Sequence, residues 1–152
     1  MDKKDKLSPD LVGVSGEYFV AAELSKRGYI ASITLRNTKG VDILCSNSEA
    51  SKTVGIQVKT NSGSGRSWIL SKKAEDNFAE NLFYVFVNLH SNQRHPEFFI
   101  VPSKVVAQYC KNGHAEWLNT PGRNGQKRKD SNMRKFDDPD EEYLNCWDSL
   151  HL

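Results

Sequence analysis

Glu17, Asp42, Gln57 and Lys59 are the residues whose types and positions ask most of this chain. Val14, Val20, Ala21 and Leu24 recur at helical spacing, and Glu17 falls inside the apolar stripe they make. A carboxylate aimed at a core is costly unless it is paired or holds a metal ion. The other reading begins the regular helix near Ser15, leaving Glu17 in a first turn where the helix dipole favours an acid. Asp42 lies in the run VDILC. It is either an acid in an otherwise apolar short strand or a turn residue close to Gly40. In IQVKT, residues 56–60, side chains alternate. Ile56, Val58 and Thr60 share one face, and Gln57 and Lys59 share the other. If the two strands pair, Gln57 and Lys59 point where Asp42 points; a half-exposed strand with two solvated polar residues is the plainer alternative.

These residues need elements to position them. Ser8-Pro9 supplies an N-cap and a first-turn proline, and Lys26-Arg27-Gly28 supplies a basic last turn and a glycine stop, so a helix lies between them. Gly13 and Gly16 weaken its first turns. Strand-like runs follow at 29–35, 41–45 and 53–60, with turn-rich connections at 37–40 and 46–52 that are short enough for antiparallel hairpins. Residues 61–67 (NSGSGRS) read as a flexible loop. The pattern then predicts a helix over 72–81, an apolar strand at 82–89 and a strand at 97–101. A further helix starts at Pro102-Ser103, runs to about Lys111 and ends at Asn112-Gly113. Tyr143, Leu144, Trp147 and Leu150 have helical spacing and predict a C-terminal helix over 140–150 that docks one face. The order predicts an α/β fold, a mixed central sheet flanked by helices with C-terminal helical additions. With 152 residues, one domain spanning 1–152 is expected, with a disordered tail at 1–7.

A composition of 38% hydrophobic and 26% charged residues excludes an overall disordered chain. No apolar run approaches the roughly 20 residues needed to cross a bilayer, and the opening MDKKDKLSPD lacks the apolar region of a secretory signal. Three scattered cysteines (Cys45, Cys110, Cys146) suit free thiols in a reducing compartment, so a cytoplasmic location is expected. No HxxxH, HExxH, P-loop or dinucleotide-binding glycine pattern is present. Net charge is only +2, but residues 121–135 carry six basic side chains against one acid, while 137–142 (DDPDEE) are almost wholly acidic. The basic loop, 121–136, is either a phosphate-neutralising surface or a solvated segment.

Taken together, GEYFVAAELSKRGY, GVDIL and IQVKT resemble the PD-(D/E)xK nuclease superfamily, especially its small Holliday-junction-resolvase-like members, over about residues 10–90. The resemblance implies a restriction-endonuclease-like core and a Mg²⁺- or Mn²⁺-dependent endonuclease hydrolysing DNA phosphodiesters. By it, Asp42 is the central metal ligand, Glu17 a further ligand or water contact, and the Val58 backbone carbonyl another oxygen. Gln57 stands at the (D/E) position, and Lys59 orients or activates the attacking water and steadies phosphate charge. Such ions want hard oxygen ligands, acidify bound water and offset phosphoryl charge, and a nearby lysine serves nucleophile and transition state. Gln57 departs from the pattern. Its neutral carboxamide lowers metal affinity, makes Glu17 more important, and leaves open a catalytically degenerate module that binds nucleic acid or a protein partner without cleavage. Loop 61–68 leaves the Lys59 strand directly. Arg66, Trp68, Lys72 and Lys73 are therefore candidates to track a phosphate backbone or stack a base, unless the loop is simply a surface loop with Trp68 half-packed. Arg123, Lys127, Arg128 and Lys129 are candidates for a second groove wall. DNA is the expected partner, a homodimer is expected for cutting both strands, and no membrane is.

Overall fold

The structure is a computed structural model that describes residues 6–35, 40–90 and 94–152, so most of the expected tail and of the 37–40 turn lies outside the described residues. Helix α1 spans Pro9–Lys26, with the Ser8 hydroxyl accepting from the Leu11 N–H and Pro9 in the first turn. It is regular from Pro9, not from Ser15, despite its two glycines. It ends in a Schellman motif: the Gly28 N–H donates to the Ser25 carbonyl (3.0 Å) and the Tyr29 N–H to the Leu24 carbonyl (3.2 Å), with Gly28 at φ +87°.

Strands β1 (Ile30–Ile33), β2 (Ile43–Ser46) and β3 (Thr53–Asn61) form two antiparallel hairpins, as the short connections require. Strand β5 (Leu82–Asn88) lies parallel to β3, and β6 (Glu97–Pro102) antiparallel to β5, which gives one mixed sheet in the order β1-β2-β3-β5-β6. A parallel pair needs a crossover. Here it contains β4 (Ser67–Ser71) and a 3₁₀ turn, Lys72–Glu75. Strand β4 pairs antiparallel with β7 (Met133–Asp137) in a separate two-stranded ribbon.

Two apolar layers flank the sheet. Val20 and Leu24 of α1 pack with Ile43, Ile56, Val58, Val85, Trp147 and Leu150. On the other side, Tyr84, Phe86 and Phe99 pack with Trp68, Phe136 and Val106, the last from helix α2 (Ser103–Asn119). Strand β5 is buried along its whole length because both layers meet on it.

Several expected elements differ. The helix over 72–81 is only the Lys72–Glu75 turn. Ala74 is its one buried side chain, Phe78 is exposed, and Ser103 Oγ satisfies both the Ala79 N–H and carbonyl at 3.1 Å. Helix α2 runs past Gly113 to Asn119. A mid-helix glycine costs only ~1 kcal/mol, and contacts at His114 and Trp117 reward the extra turns. The helix over 140–150 is instead a turn series ending in a 3₁₀ segment, Trp147–Leu150. Glu141 and Asn145 adopt positive φ, while the Asp138 carboxylate accepts from the Glu142 and Tyr143 N–H groups. Trp147 and Leu150 still dock on the core. The basic loop is shorter than 121–136, since Met133–Asp137 is a strand.

Helix α1 approaches the sheet closely at Gly16, where a Cβ would stand 1.9 Å from Thr60 Oγ1 of β3. Gly16→Ala is expected to cost about 1–3 kcal/mol by overpacking, and adding Thr60→Ala should recover part of it. Urea denaturation of the three variants checks this; a Gly16→Ala protein as stable as the native one would contradict the close approach.

Candidate active site

Asp42 sits just before β2 and continues its ladder: its N–H donates to the Ile56 carbonyl (2.8 Å), and its own carbonyl accepts from the Thr34 N–H (2.9 Å). Extending the Ile43↔Ile56 register by one residue sets Asp42 opposite Gln57. Its carboxylate Oδ2 accepts from the Val58 N–H at 2.7 Å, so the side chain supplies the partner that the end of β2 would otherwise deny β3. A strand residue points its N–H and C=O to the same neighbour, so the Val58 carbonyl leaves β3 on the edge where Asp42 stands. One N–H bond does not exhaust a carboxylate, which has about four lone-pair sites.

Gln57 and Lys59, both half-buried, line a cleft of about 520 Å³ with Ser71, Lys73, Asn77 and Tyr84. Gln57 is level with Tyr84 in the parallel β3–β5 pairing. Burial, and after it the fields of Cys110 and Asp42, pushes the Tyr84 hydroxyl up to about 12. Asp42 and Gln57 are thus cross-strand neighbours at the middle of β3, with Lys59 two residues further along it. Lys59 and Lys73 form no ion pair among the described residues.

Glu17 is half-buried on α1, which packs on the Ile56–Val58–Thr60 face, across the sheet from the wall that Gln57 and Lys59 form. It follows Gly16, so it lies beside the close approach to Thr60, one residue beyond Lys59. Among the described residues no three His, Cys, Asp or Glu side chains gather as a metal site. The donors around β3 are a carboxylate, a carboxamide and a backbone carbonyl. This is a hard-oxygen set that suits Mg²⁺ or Mn²⁺, with a single formal charge.

Two nucleic-acid candidates are corrected. Trp68 is 1% exposed, its indole N–H donating to the Val87 carbonyl (3.1 Å), so it is core and has no face to offer a base. Arg66 is committed to Glu97 (2.8 Å) and Glu141 (2.6 Å) and rides over the Phe99 ring, joining the loop to β6 and the C-terminal turns. Lys72 and Lys73 are exposed; Lys73 lines the cleft, and the Lys72 N–H donates to the Asn132 carbonyl (2.9 Å). Arg123, Lys127 and Lys129 are exposed, while Arg128 is half-buried over Trp117. Tyr84 and Asn77 were not singled out by sequence. Tyr84 hides in an apolar run, and only its register opposite Gln57 gives it away.

The fold is an α/β restriction-endonuclease-like core, a mixed sheet flanked by helices. The chain is similar to the bacterial homing endonuclease I-Ssp6803I, at 14% identity over 96% of this chain and 94% of that one, with a TM-score of 0.57. It also aligns with Hjc, a Holliday junction resolvase of Archaeoglobus fulgidus, at 14% identity over 83% and 84% of the two chains, with a TM-score of 0.47. No protein-family model and no curated protein matches the chain. No described helix is long and apolar enough to cross a membrane.

The Val58 amide is expected to lose hydrogen-exchange protection in Asp42→Ala and to keep it in Asp42→Asn, which retains an acceptor oxygen. Equal protection in both would remove Asp42 from that bond. Burial pushes the Glu97 carboxyl up, but the hydrogen bond from His90 and the charge of Arg66 outweigh it and hold Glu97 below its ordinary value. That stabilisation is present above the ordinary carboxylate range and is lost as pH falls through the depressed value. Arg66→Ala should therefore cost on the order of 1 kcal/mol at neutral pH, with the deficit narrowing in acid. Thermal melts across pH test this, and a deficit that grows in acid would contradict it.

Proposed function

We propose that this chain is a divalent-metal-dependent endonuclease that hydrolyses phosphodiester bonds of DNA. The carrying observation is the Asp42 carboxylate fixed on the Val58 N–H, beside a cleft walled by Gln57 and Lys59. The likeness in fold to a homing endonuclease supports the reading. Asp42, the Gln57 carboxamide oxygen and the Val58 carbonyl would hold Mg²⁺ or Mn²⁺, with Glu17 as a further ligand or water contact. The ion, when bound, acidifies water and neutralises phosphate charge. Lys59, half-buried in the cleft and in no ion pair among the described residues, orients the attacking water and lies against the non-bridging oxygens, where its charge counts most in the transition state. Lys72 and Lys73 hold the flanking phosphates. A cytoplasmic homodimer, each copy one domain with one site, would cut both strands.

The test incubates purified protein with supercoiled, linear, single-stranded and branched DNA and Mg²⁺ or Mn²⁺. Cutting is expected in the native protein, with a loss of about 10²–10³ in rate for Lys59→Ala and for Asp42→Ala, the scale seen when one electrostatic group is removed. Equal residual activity in the variants would assign the cutting to a contaminant. DNA binding with no cutting, and no metal binding by calorimetry, would leave the catalytically degenerate module that the neutral Gln57 also fits.

A further inference from the structure

The basic and acidic stretches that flank β7 sit at opposite ends of helix α2. In its N-terminal half, Val105 and Tyr109 line a hollow of about 270 Å³ with Asp137, Asp140, Glu142 and Tyr143. Asp140 and Glu142 are exposed and in no ion pair among the described residues. Asp137 gives Oδ2 to Lys135 Nζ (3.3 Å) and leaves Oδ1 buried without a hydrogen-bond partner. Beyond the other end of the helix the chain closes a tight turn. The Gly122 N–H donates to the Gln126 carbonyl and the Gly125 N–H to the Gly122 carbonyl, both at 2.8 Å, with Gly125 at φ +75°. Arg128 anchors this turn, its Nε donating to the Thr120 carbonyl (3.2 Å). Arg123 and Lys127 stand out from it, exposed and in no ion pair among the described residues.

Within one chain these opposite charges stay apart, since Val105 and Thr120 are separated by about 22 Å of helix. Midway between them α2 carries Gly113. A Cβ there would meet nothing within 4 Å, so no neighbour inside the chain asks for a residue that weakens the helix. Around Gly113 lie Tyr109, Trp117 and Met133, three large apolar side chains left exposed. A face that is acidic at one end, apolar in the middle and basic at the other is complementary to itself after a half-turn about its middle. The axis of that half-turn falls at Gly113, where the missing side chain lets two α2 helices cross closely. An apolar centre with a charged rim is also how protein interfaces are built. Nucleic acid would answer the basic end and be repelled by the acidic one; a basic peptide would do the reverse. A second copy of the chain answers both. No residue of α2, of the turn or of 133–142 lines the cleft, so this pairing leaves the cleft open.

We propose that the chain forms a two-fold dimer through α2, with the basic turn 122–126 of each copy seated on the acidic hollow of the other. This gives the homodimer of the proposed endonuclease a specific face, and its test needs neither DNA nor metal. Sedimentation velocity over a concentration series is run on the full chain, on Arg123→Glu/Lys127→Glu, on Asp140→Lys/Glu142→Lys, and on an equimolar mixture of the two double variants. The native chain is expected to sediment as a dimer that weakens with added salt. Each double variant alone sets like charges against each other at both ends and is expected to dimerise roughly tenfold more weakly or worse. The mixture is expected to dimerise again, because the reversed turn meets the reversed hollow and the natural turn meets the natural hollow. Misfolded variants could not recover in this way. A native chain that stays monomeric at tens of micromolar, a dimer undiminished in either double variant, or a mixture that stays monomeric would overturn the proposal. A monomeric native chain whose DNA affinity is lost in Arg123→Glu/Lys127→Glu would give the turn to nucleic acid instead. DNA cutting by a monomer removes this pairing alone; a dimer that cuts nothing under any metal removes the endonuclease reading and leaves the pairing.

Discussion

Strand β3 is paired along both edges and must also keep its two faces chemically distinct. Antiparallel pairing with β2 and parallel pairing with β5 fix its direction and register. A slip of one residue would drive Gln57 and Lys59 under α1 and turn Ile56 and Val58 into the cleft. The dry face resists this, since Ile56 is fully buried and Val58 nearly so. The register is thus set by the hydrophobic layer, and the polar face inherits its precision without contributing much energy. Asp42 closes the arrangement. The β2–β3 ladder would run out at Val58, and the carboxylate that satisfies this amide is held there by the same bond.

The second dependence is on distance. Gly16 lets α1 approach β3 closely enough that Thr60 fills the space a side chain would take. That approach sets the height of the neighbouring Glu17 over the sheet. The helix bears few strong apolar positions facing inward, with Val12, Val20 and Leu24 the large buried ones. Its anchoring therefore relies on contact quality at the glycine as much as on area. On the opposite layer the ribbon of β4 and β7 does comparable work. Trp68 and Phe136 press against Phe86, and Arg134, 5% exposed, is neutralised by Glu75 at 2.7 Å.

Local patterns carried the parts of the fold that are held locally. The caps of α1, the two hairpins and the alternation in IQVKT all rest on contacts between near neighbours in sequence, and all hold. The failures share another cause. Strand β4 exists because it pairs with β7, from Ser67 to Asp137, and nothing within either segment announces so distant a partner. Trp68 accordingly reads as loop from its glycine and serine neighbours, and as core once β7 covers it. Arg66 looks like a free cation until β6 and the C-terminal turns bring Glu97 and Glu141 to it. The acidic stretch 137–142 carries no local sign of burial, yet Asp138 is 3% exposed and organises the following turns through two backbone N–H groups. For the site, the residue types along β3 were legible; Tyr84 was not, because its place depends on the parallel register.

Gln57 changes the electrostatics of the cleft as well as its donor set. Without an ion, the wall near β3 carries one negative charge at Asp42 and positive charges at Lys59 and Lys73, with Tyr84 a neutral hydroxyl. A carboxylate at position 57 would cancel the second lysine and leave a wall of no net charge, with nothing to draw phosphate until a cation arrives. The carboxamide leaves it net positive, so a phosphate would be attracted before any metal, and fewer like charges need be held apart. The cost would fall on a metal ion, which would meet one formal charge fewer and would have to draw more of its stabilisation from phosphate oxygens. In an endonuclease of the proposed kind, nucleic acid and metal would then favour each other's binding, since each supplies charge that the other lacks.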